Sequence, residues 1–171
     1  GYNVEWSTEC TLPKALEEYV KAWVLLHLLE ALQHGGSINS PSFIFNMSVG
    51  YDLAGIKTPK MQTFIDSMID ASACEVFTSA IASLKALIAE EAFLDGTPWE
   101  GMESQLTNLP DSISPHISPS VTINTMHGCP PDEIEAICTY MLSEKELSTF
   151  VKLNPTHLGF DTVRAILDDL G

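Results

Sequence analysis

The loop at residues 125–131, Thr-Met-His-Gly-Cys-Pro-Pro, brings together residue types used in acid–base and nucleophilic chemistry. Cys129 falls at or next to the N-cap of a predicted helix, where backbone N–H groups and the helix dipole favour a thiolate. His127 precedes it closely, and Gly128 lets the backbone approach a ligand. We interpret Cys129 and His127 as a candidate reactive pair. The alternative is a tight strand-to-helix turn in which Cys129 is a small buried cap.

A second candidate site is the stretch 152–159, Lys-Leu-Asn-Pro-Thr-His-Leu-Gly. Lys152 comes at the end of an apolar predicted strand, where burial of its ammonium is costly unless it meets an anion or a carbonyl. Asn154 and Thr156 add hydrogen-bonding groups, so a cofactor or substrate anion would suit this strand end. In the alternative, Lys152 lies at an edge or strand end and extends to water. His157 alone is interpreted as a loop residue.

Other polar side chains are explained more simply by packing. Asn46 and Ser48 share one face of a short predicted strand because side chains alternate along it, and they either line a site or, as we prefer, satisfy neighbouring backbone. His27 lies on an apolar helix face, as core histidines do. The chain contains no G-x-G-x-x-G and no P-loop, which excludes nucleotide-binding domains of those types.

The elements that must position the two loops follow a β-α-β-α pattern in the C-terminal third. Strands are predicted at 120–126 and 149–153, and helices at 130–142 and 160–170. This pattern is typical of a parallel sheet, in which ligands bind at the carboxyl ends of the strands.

The preceding part of the chain is dominated by predicted helices. The strongest spans 12–33, begins at a Thr11 cap and ends at Gly35 and Gly36. It is apolar nearly all round beyond Ala22, which predicts that it is largely buried. The remaining predicted elements are strands at 2–7 and 43–49, helices at 58–71 and 75–94, and a long irregular connection at 95–118 with one helical turn near 102–107.

Composition excludes several classes of function. The 8 basic and 23 acidic side chains give a net charge of −15, which argues against nucleic acid and against an anionic membrane surface. The longest apolar run of the most apolar stretch, residues 22–26, is far shorter than the roughly 20 residues of a membrane span. The cysteines form no C-x-x-C pair, so we expect no metal or iron–sulfur site within this chain and reduced thiols in the cytoplasm.

Five segments of the chain resemble the selenate reductase iron–sulfur (FAD-dependent oxidoreductase) subunit family: NVEWSTE, EEYVKAWVLLHLLEAL, FIFNMSVGYDLAGIKTPKM, TMHGCPPDEIEAI and TFVKLNPTHLGFDTVRAILDDLG. The resemblance covers nearly the whole chain except about residues 72–118. It implies a large flavin and iron–sulfur protein whose N-terminal part is similar to the FMN-binding (β/α)8 barrel of dihydroorotate and dihydropyrimidine dehydrogenases. FAD and 4Fe–4S clusters are expected in the parent protein and not in this chain.

The resemblance also implies roles for individual residues. In those dehydrogenases one strand ends in Asn followed by Ser-Cys-Pro, and the next ends in Lys-Leu-x-Pro. The counterparts here are Asn124, the Cys-Pro at Cys129, and the Lys-Leu-Asn-Pro that begins at Lys152, although Asn124 lies five residues before the cysteine rather than three. The family pattern implies that Lys152, Asn154 and Asn124 help to hold FMN. It implies that Cys129 with His127 acts on the substrate side, by proton transfer or as a polar anchor.

The expected fold class is α/β: a partial (β/α)-barrel-like domain, rich in helix, with three or four mostly parallel strands. Residues 1–171 would form a single incomplete barrel unit, since a complete barrel needs about 250 residues. The start at Gly1, without an initiator Met, predicts a piece of a longer or processed protein. A partial barrel exposes strand edges, so association with other domains, subunits or copies of the chain is expected.

Two function hypotheses follow. In the first, the chain is part of a flavin- and iron–sulfur-dependent oxidoreductase subunit, by resemblance a selenate reductase, that is inactive alone and acts on a small-molecule substrate with other parts of a redox complex. In the second, it is a non-catalytic assembly domain and both motifs are structural turns. A less favoured third is a thiol-based enzyme that uses Cys129 and His127.

Overall fold

The structure, a computed structural model, describes residues 11–36, 41–90, 92–124, 129–152 and 159–170. Within these ranges the chain forms α1 (Leu12–Gln33), β1 (Asn46–Val49), α2 (Leu53–Ile56), α3 (Pro59–Ile69), α4 (Glu75–Ile88), a 3-10 turn (Glu103–Leu106), α5 (Leu109–Ser112), β2 (Ser120–Asn124), α6 (Pro131–Ser143), β3 (Ser148–Lys152) and α7 (Phe160–Leu170).

The three strands form one parallel sheet in the order β1-β2-β3. Parallel neighbours need long crossovers, and here residues 50–119 connect β1 to β2 while α6 lies between β2 and β3. The predicted class, helix-rich α/β with parallel strands, is confirmed. The strand predicted at 2–7 lies outside the described residues.

Helix α1 has the predicted bounds. The Thr11 hydroxyl caps its start by accepting from the Lys14 backbone N at 3.5 Å, and Pro13 lies in the first turn, where its missing N–H costs nothing. After Gln33 the chain leaves the helix through glycines with positive φ. The helix packs against α3 and α4.

The prediction that α1 is largely buried beyond Ala22 is confirmed for most of its positions, although two apolar residues are exposed. Its buried face includes Val20, Trp23 and Leu28, but Leu25 is 53% exposed and Leu29 is 38% exposed. One helix can bury only the stripe that faces its neighbours, so the apolar residues on the opposite side stay at the surface.

One apolar face of the sheet anchors the core. Because side chains alternate along a strand, the two buried residues of β1, Met47 and Val49, share a face with Val121 and Ile123 of β2. The core also contains buried residues of α1, α3 and α6: Val20, Phe64, Ile65, Met68, Ile137 and Met141.

The region between α4 and β2 differs most from expectation. Helix α4 ends at Ile88 rather than near residue 94, because the hydrogen bonds beyond it tighten into i to i−3 turns. The turn predicted near 102–107 is confirmed as the 3-10 turn, whereas α5 was not predicted. The connection is irregular, yet it packs into the core through Leu106, Leu109 and Ile117.

Candidate functional site at the carboxyl ends of the strands

The carboxyl ends of the three parallel strands lie along one edge of the sheet, at Val49, Asn124 and Lys152. Asn124 and Lys152 are register partners on neighbouring strands. Asn124, which the family resemblance identified, and Lys152, which the strand pattern placed at a strand end, therefore lie side by side.

The face of the sheet opposite the core is polar. By alternation it carries Ser48, Thr122 and Asn124 next to Phe150 and Lys152 of β3. Phe150 is 58% exposed. This open polar face ends at the edge where Asn124 and Lys152 lie.

Asn46 lies at the amino end of this face, away from the carboxyl edge. Its Nδ2 donates to Ser120 Oγ at 2.7 Å, and its Oδ1 accepts from Thr122 Oγ1 at 2.7 Å. Asn46 therefore links β1 to β2 in a structural role, although its partners are side-chain hydroxyls rather than the backbone groups that we expected. His27 is likewise a buried core residue, with Nδ1 2.8 Å from the Trp23 carbonyl oxygen.

Lys152 is the last residue of β3 and is exposed. The cost of burying its ammonium, which the sequence suggested, does not arise. Its position suits both interpretations: a strand-end cation at the polar edge of the sheet, or a lysine whose side chain extends towards water.

Cys129 is half-buried and lies immediately before Pro130, the N-cap residue of α6. Burial raises the pKa of its thiol, and the carboxylates of Glu133, Asp132 and Asp52 raise it further. The expectation that the helix terminus would favour a thiolate is therefore wrong. Burial, and after it the neighbouring carboxylates, oppose a negative charge on the sulfur.

Two acidic side chains at this edge were not singled out from the sequence. Glu133 Oε1 accepts from the Leu53 backbone N at 2.7 Å, and Asp52 Oδ1 accepts from the Gly55 backbone N at 2.7 Å. Asp52, the N-cap residue of α2, follows β1, and Glu133, in the first turn of α6, follows β2, so both come after the carboxyl ends of neighbouring strands. The only available signals were an Asp before a short apolar run and an acidic first turn of α6.

Two predicted site residues, His127 and Asn154, lie outside the described residues.

Within the described ranges Tyr51, two residues after the end of β1, has a buried hydroxyl with no hydrogen-bond partner. No group of three or more His, Cys, Asp or Glu side chains in those ranges is placed to hold a metal ion.

Two cavities lie away from this edge. One of about 640 Å³ runs between α1 and α4 and is lined mainly by apolar residues such as Leu25, Leu28 and Leu84. The other, of about 410 Å³, lies near the amino ends of the strands, beside Trp23 and His116. Neither contains Asn124, Cys129 or Lys152, so we place the candidate chemistry at the strand ends rather than in these cavities.

No helix among the described residues is long and apolar enough to cross a membrane.

The comparisons with known proteins agree with this architecture. Two curated proteins that carry the name of an oxidoreductase, YgfK, are each 55% identical to the chain over 170 residues; they come from Escherichia coli strains K12 and O157:H7. The match covers 99% of this chain and 16% of each relative, so the chain spans about a sixth of their length. No solved structure matches.

The family comparison covers the chain completely. The model described as "Oxidoreductase YgfK, N-terminal TIM-barrel domain" matches residues 1–171. Parallel strands that alternate with helices and end at one polar edge are what a TIM barrel requires. The chain belongs to the family of N-terminal TIM-barrel domains of the oxidoreductase YgfK.

Proposed function

We propose that the chain is the flavin-binding part of an oxidoreductase subunit and that flavin binds at the carboxyl edge of the sheet. The observation that carries the proposal is the pairing of Asn124 with Lys152 at the ends of β2 and β3, on the open polar face. Ligands of parallel α/β sheets bind at this edge, and membership of an oxidoreductase family makes a redox cofactor the natural ligand.

The residues present fit FMN. A strand-end ammonium, as in Lys152, suits the electron-rich pyrimidine end of a flavin or its phosphate. The Asn124 amide, and Asn154 by resemblance, can donate to and accept from ring heteroatoms. Bound flavin would supply the hydride and electron transfer, for which protein side chains have no equivalent.

Cys129 would serve on the substrate side as a protonated thiol. Its raised pKa makes it a holder or donor of a proton rather than a ready nucleophile. His127 would share this proton transfer or anchor the substrate. This assignment disfavours a thiol-based enzyme, because such an enzyme needs a thiolate at neutral pH.

The wider setting belongs to the same proposal. The parent protein would carry FAD and 4Fe–4S clusters in other domains, would reside in the cytoplasm and would reduce a small molecule, with selenate as the substrate suggested by resemblance. The 171-residue chain would be inactive alone, since electrons would have to reach it from those other domains.

A second candidate function is a non-catalytic assembly domain. Helix α7 favours it, because Phe160 is 74% exposed, Ile166 46% and Leu167 61%, all on one helix. Exposed apolar side chains at this density mark contact with another domain, subunit or copy of the chain. In this alternative the polar edge would be structural.

The test compares the flavin content of the intact polypeptide with that of Lys152→Ala. We expect the loss of one charge-assisted contact to weaken flavin binding about tenfold to a hundredfold. Lys85→Ala is the matched control, since Lys85 is a half-exposed surface lysine paired with Asp111, and it should retain flavin. Full flavin content in Lys152→Ala would exclude the cofactor role of Lys152.

Further outcomes separate the alternatives. An intact polypeptide that never binds flavin at this domain would favour the assembly function. A Cys129→Ser variant with unchanged turnover would exclude proton transfer by the cysteine.

A further inference from the structure

Helix α2 is tied at its first residue to the helix that follows Cys129. The Leu53 backbone N donates to Glu133 Oε1 at 2.7 Å, although the two residues are 80 positions apart. The first N–H groups of a helix have no partner within it. The N-cap residue, Asp52, uses its Oδ1 on Gly55, so Glu133 satisfies an N–H group that the cap does not reach.

The other end of α2 is tied to α6 as well. Gln62 Nε2 donates to the Ile56 carbonyl oxygen at 2.7 Å, and Tyr140 of α6 donates its hydroxyl proton to Gln62 Oε1 at 2.8 Å. The Lys57 ammonium lies 4.8 Å from the centroid of the Tyr140 ring. A four-residue helix cannot persist through its own hydrogen bonds, so α2 depends on these contacts.

These contacts connect two loops of the candidate site. Helix α2 follows the turn after β1, which contains Tyr51, and α6 follows the turn after β2, which contains Cys129. Strands β1 and β2 are neighbours in the sheet. The hydrogen bond from Leu53 to Glu133 therefore joins the starts of α2 and α6, which follow neighbouring strands at the edge where we place the ligand.

We propose that Glu133 is a positioning residue that fixes the start of α2, after β1, against the Cys129 end of α6, so that these two segments line the same side of the site. The inference rests on the proposed function, which makes this edge a ligand site. It assigns Glu133 no contact with substrate or flavin. Glu133 acts through its hydrogen bond to the Leu53 backbone N. Its negative charge also raises the pKa of Cys129, as the charges of Asp132 and Asp52 do.

The ordinary alternative is that Glu133 is one of several acids that favour the N-terminus of α6 through the helix dipole. In that case any carboxylate in the first turn would serve, and α2 would not respond to its removal. Glu135 provides the matched control because it lies on α6 and is exposed.

The first measurement is hydrogen–deuterium exchange in the intact polypeptide, followed at the amides of Leu53–Ile56. We expect Glu133→Ala to accelerate exchange there about tenfold or more, since a hydrogen bond to a charged acceptor is lost. Glu133→Gln retains an acceptor oxygen and should exchange much more slowly than Glu133→Ala. Glu135→Ala should match the wild type.

The second measurement is the pH profile of Cys129 alkylation by iodoacetamide. Glu133→Gln removes a negative charge near the sulfur, so the profile should move to lower pH and the rate at neutral pH should rise, whereas Glu135→Gln should leave it unchanged. A purely structural tie would not produce this shift. If Glu133→Ala does not fold, exchange at Leu53–Ile56 in Glu133→Gln decides the matter, because a neutral acceptor binds the Leu53 N–H more weakly than a carboxylate and exchange should be faster than in the wild type.

Unchanged exchange at Leu53–Ile56 in Glu133→Ala overturns the proposal, whereas a Glu133→Gln profile identical to that of the wild type overturns only the effect of the Glu133 charge on Cys129. Neither measurement uses bound flavin. Absence of flavin from the intact polypeptide would therefore contradict the proposed function but not the positioning role of Glu133. Conversely, if exchange shows no role for Glu133, the flavin content of the intact polypeptide still tests the proposed function.

Discussion

Asn124 and Lys152 are the last register pair of the β2–β3 ladder, and both lie on the polar face of the sheet. Asn46 occupies the same face at the amino end, where it bridges Ser120 and Thr122. Substitution of each asparagine therefore distinguishes a role in sheet stability, expected for Asn46, from a role in ligand binding at the carboxyl edge, expected for Asn124.

We expect Asn124→Ala to weaken flavin binding about tenfold, because one neutral hydrogen bond is lost, with little change in unfolding. Asn46→Ala should do the opposite: it removes two inter-strand hydrogen bonds and should lower the free energy of unfolding by about 1–3 kcal/mol, while flavin binding is retained. Flavin titration and urea unfolding of both variants provide the measurements. Loss of flavin in Asn46→Ala alone would reverse the assignment.

The thiol of Cys129 should react slowly at neutral pH. An acid whose pKa is raised keeps its proton to higher pH, so the thiolate fraction at neutral pH is smaller than for an unperturbed cysteine. We expect iodoacetamide alkylation of Cys129, followed by mass spectrometry, to rise at higher pH than alkylation of a cysteine in a short unstructured peptide. A midpoint below that of the peptide would restore the thiolate interpretation.

Local signals in the sequence were sufficient for the main helices and strands. The Thr11 cap, Pro13 and the paired glycines define both ends of α1, since each acts through backbone geometry within a few residues. The β-α-β pattern likewise placed Lys152 at the carboxyl end of a strand, whereas Asn124, its register partner, came from the family resemblance.

Relationships between distant residues could not be predicted. The hydrogen bond from Leu53 to Glu133 depends on how two loops pack, and α2 is too short to show a helical period. The pKa of Cys129 is raised first by burial, which depends on tertiary packing, and then by carboxylates that include Asp52, which is remote in sequence. The exposure of Leu25 depends on which helices flank α1.

The sheet core predicts a contrast between two isoleucines. Ile123 is 1% exposed on the apolar face of β2, whereas Ile44, shortly before β1, is 80% exposed. Ile123→Ala should lower the free energy of unfolding by about 2–5 kcal/mol through lost burial and a cavity, and Ile44→Ala should change it by less than about 0.5 kcal/mol. Urea unfolding measures both. Equal losses in the free energy of unfolding would show that Ile123 of β2 is not packed in the core.

Glu30 predicts how stability responds to acid. It is buried, and hydrogen bonding to Ser42, whose backbone N lies 2.6 Å from Oε1, holds the pKa of this carboxyl below its usual value. A depressed pKa contributes stability above the pKa of the unfolded chain, and that contribution is lost as pH falls through the folded value.

Glu30→Gln should therefore be less stable than the wild type near neutral pH, and the difference should shrink below the usual glutamate pKa. Glu90→Gln, at an exposed site, should follow the wild type throughout. Thermal unfolding across the acidic range measures both variants. A difference that is constant with pH would mean that the Glu30 charge is not involved.

The two glycines after α1 predict different costs for the same substitution. Gly35 and Gly36 both have positive φ, +73° and +92°, so Ala is strained at either position by about 1–2 kcal/mol. At Gly35 an added Cβ meets nothing within 4 Å, whereas at Gly36 it would lie 2.6 Å from the Gln105 Cβ and 3.0 Å from the Gln105 carbonyl oxygen. Gly36→Ala should therefore cost about 1–3 kcal/mol more than Gly35→Ala, because the backbone of the 3-10 turn must move. Chemical unfolding of the two variants tests this. Equal costs would show that the end of α1 does not pack closely against residue 105.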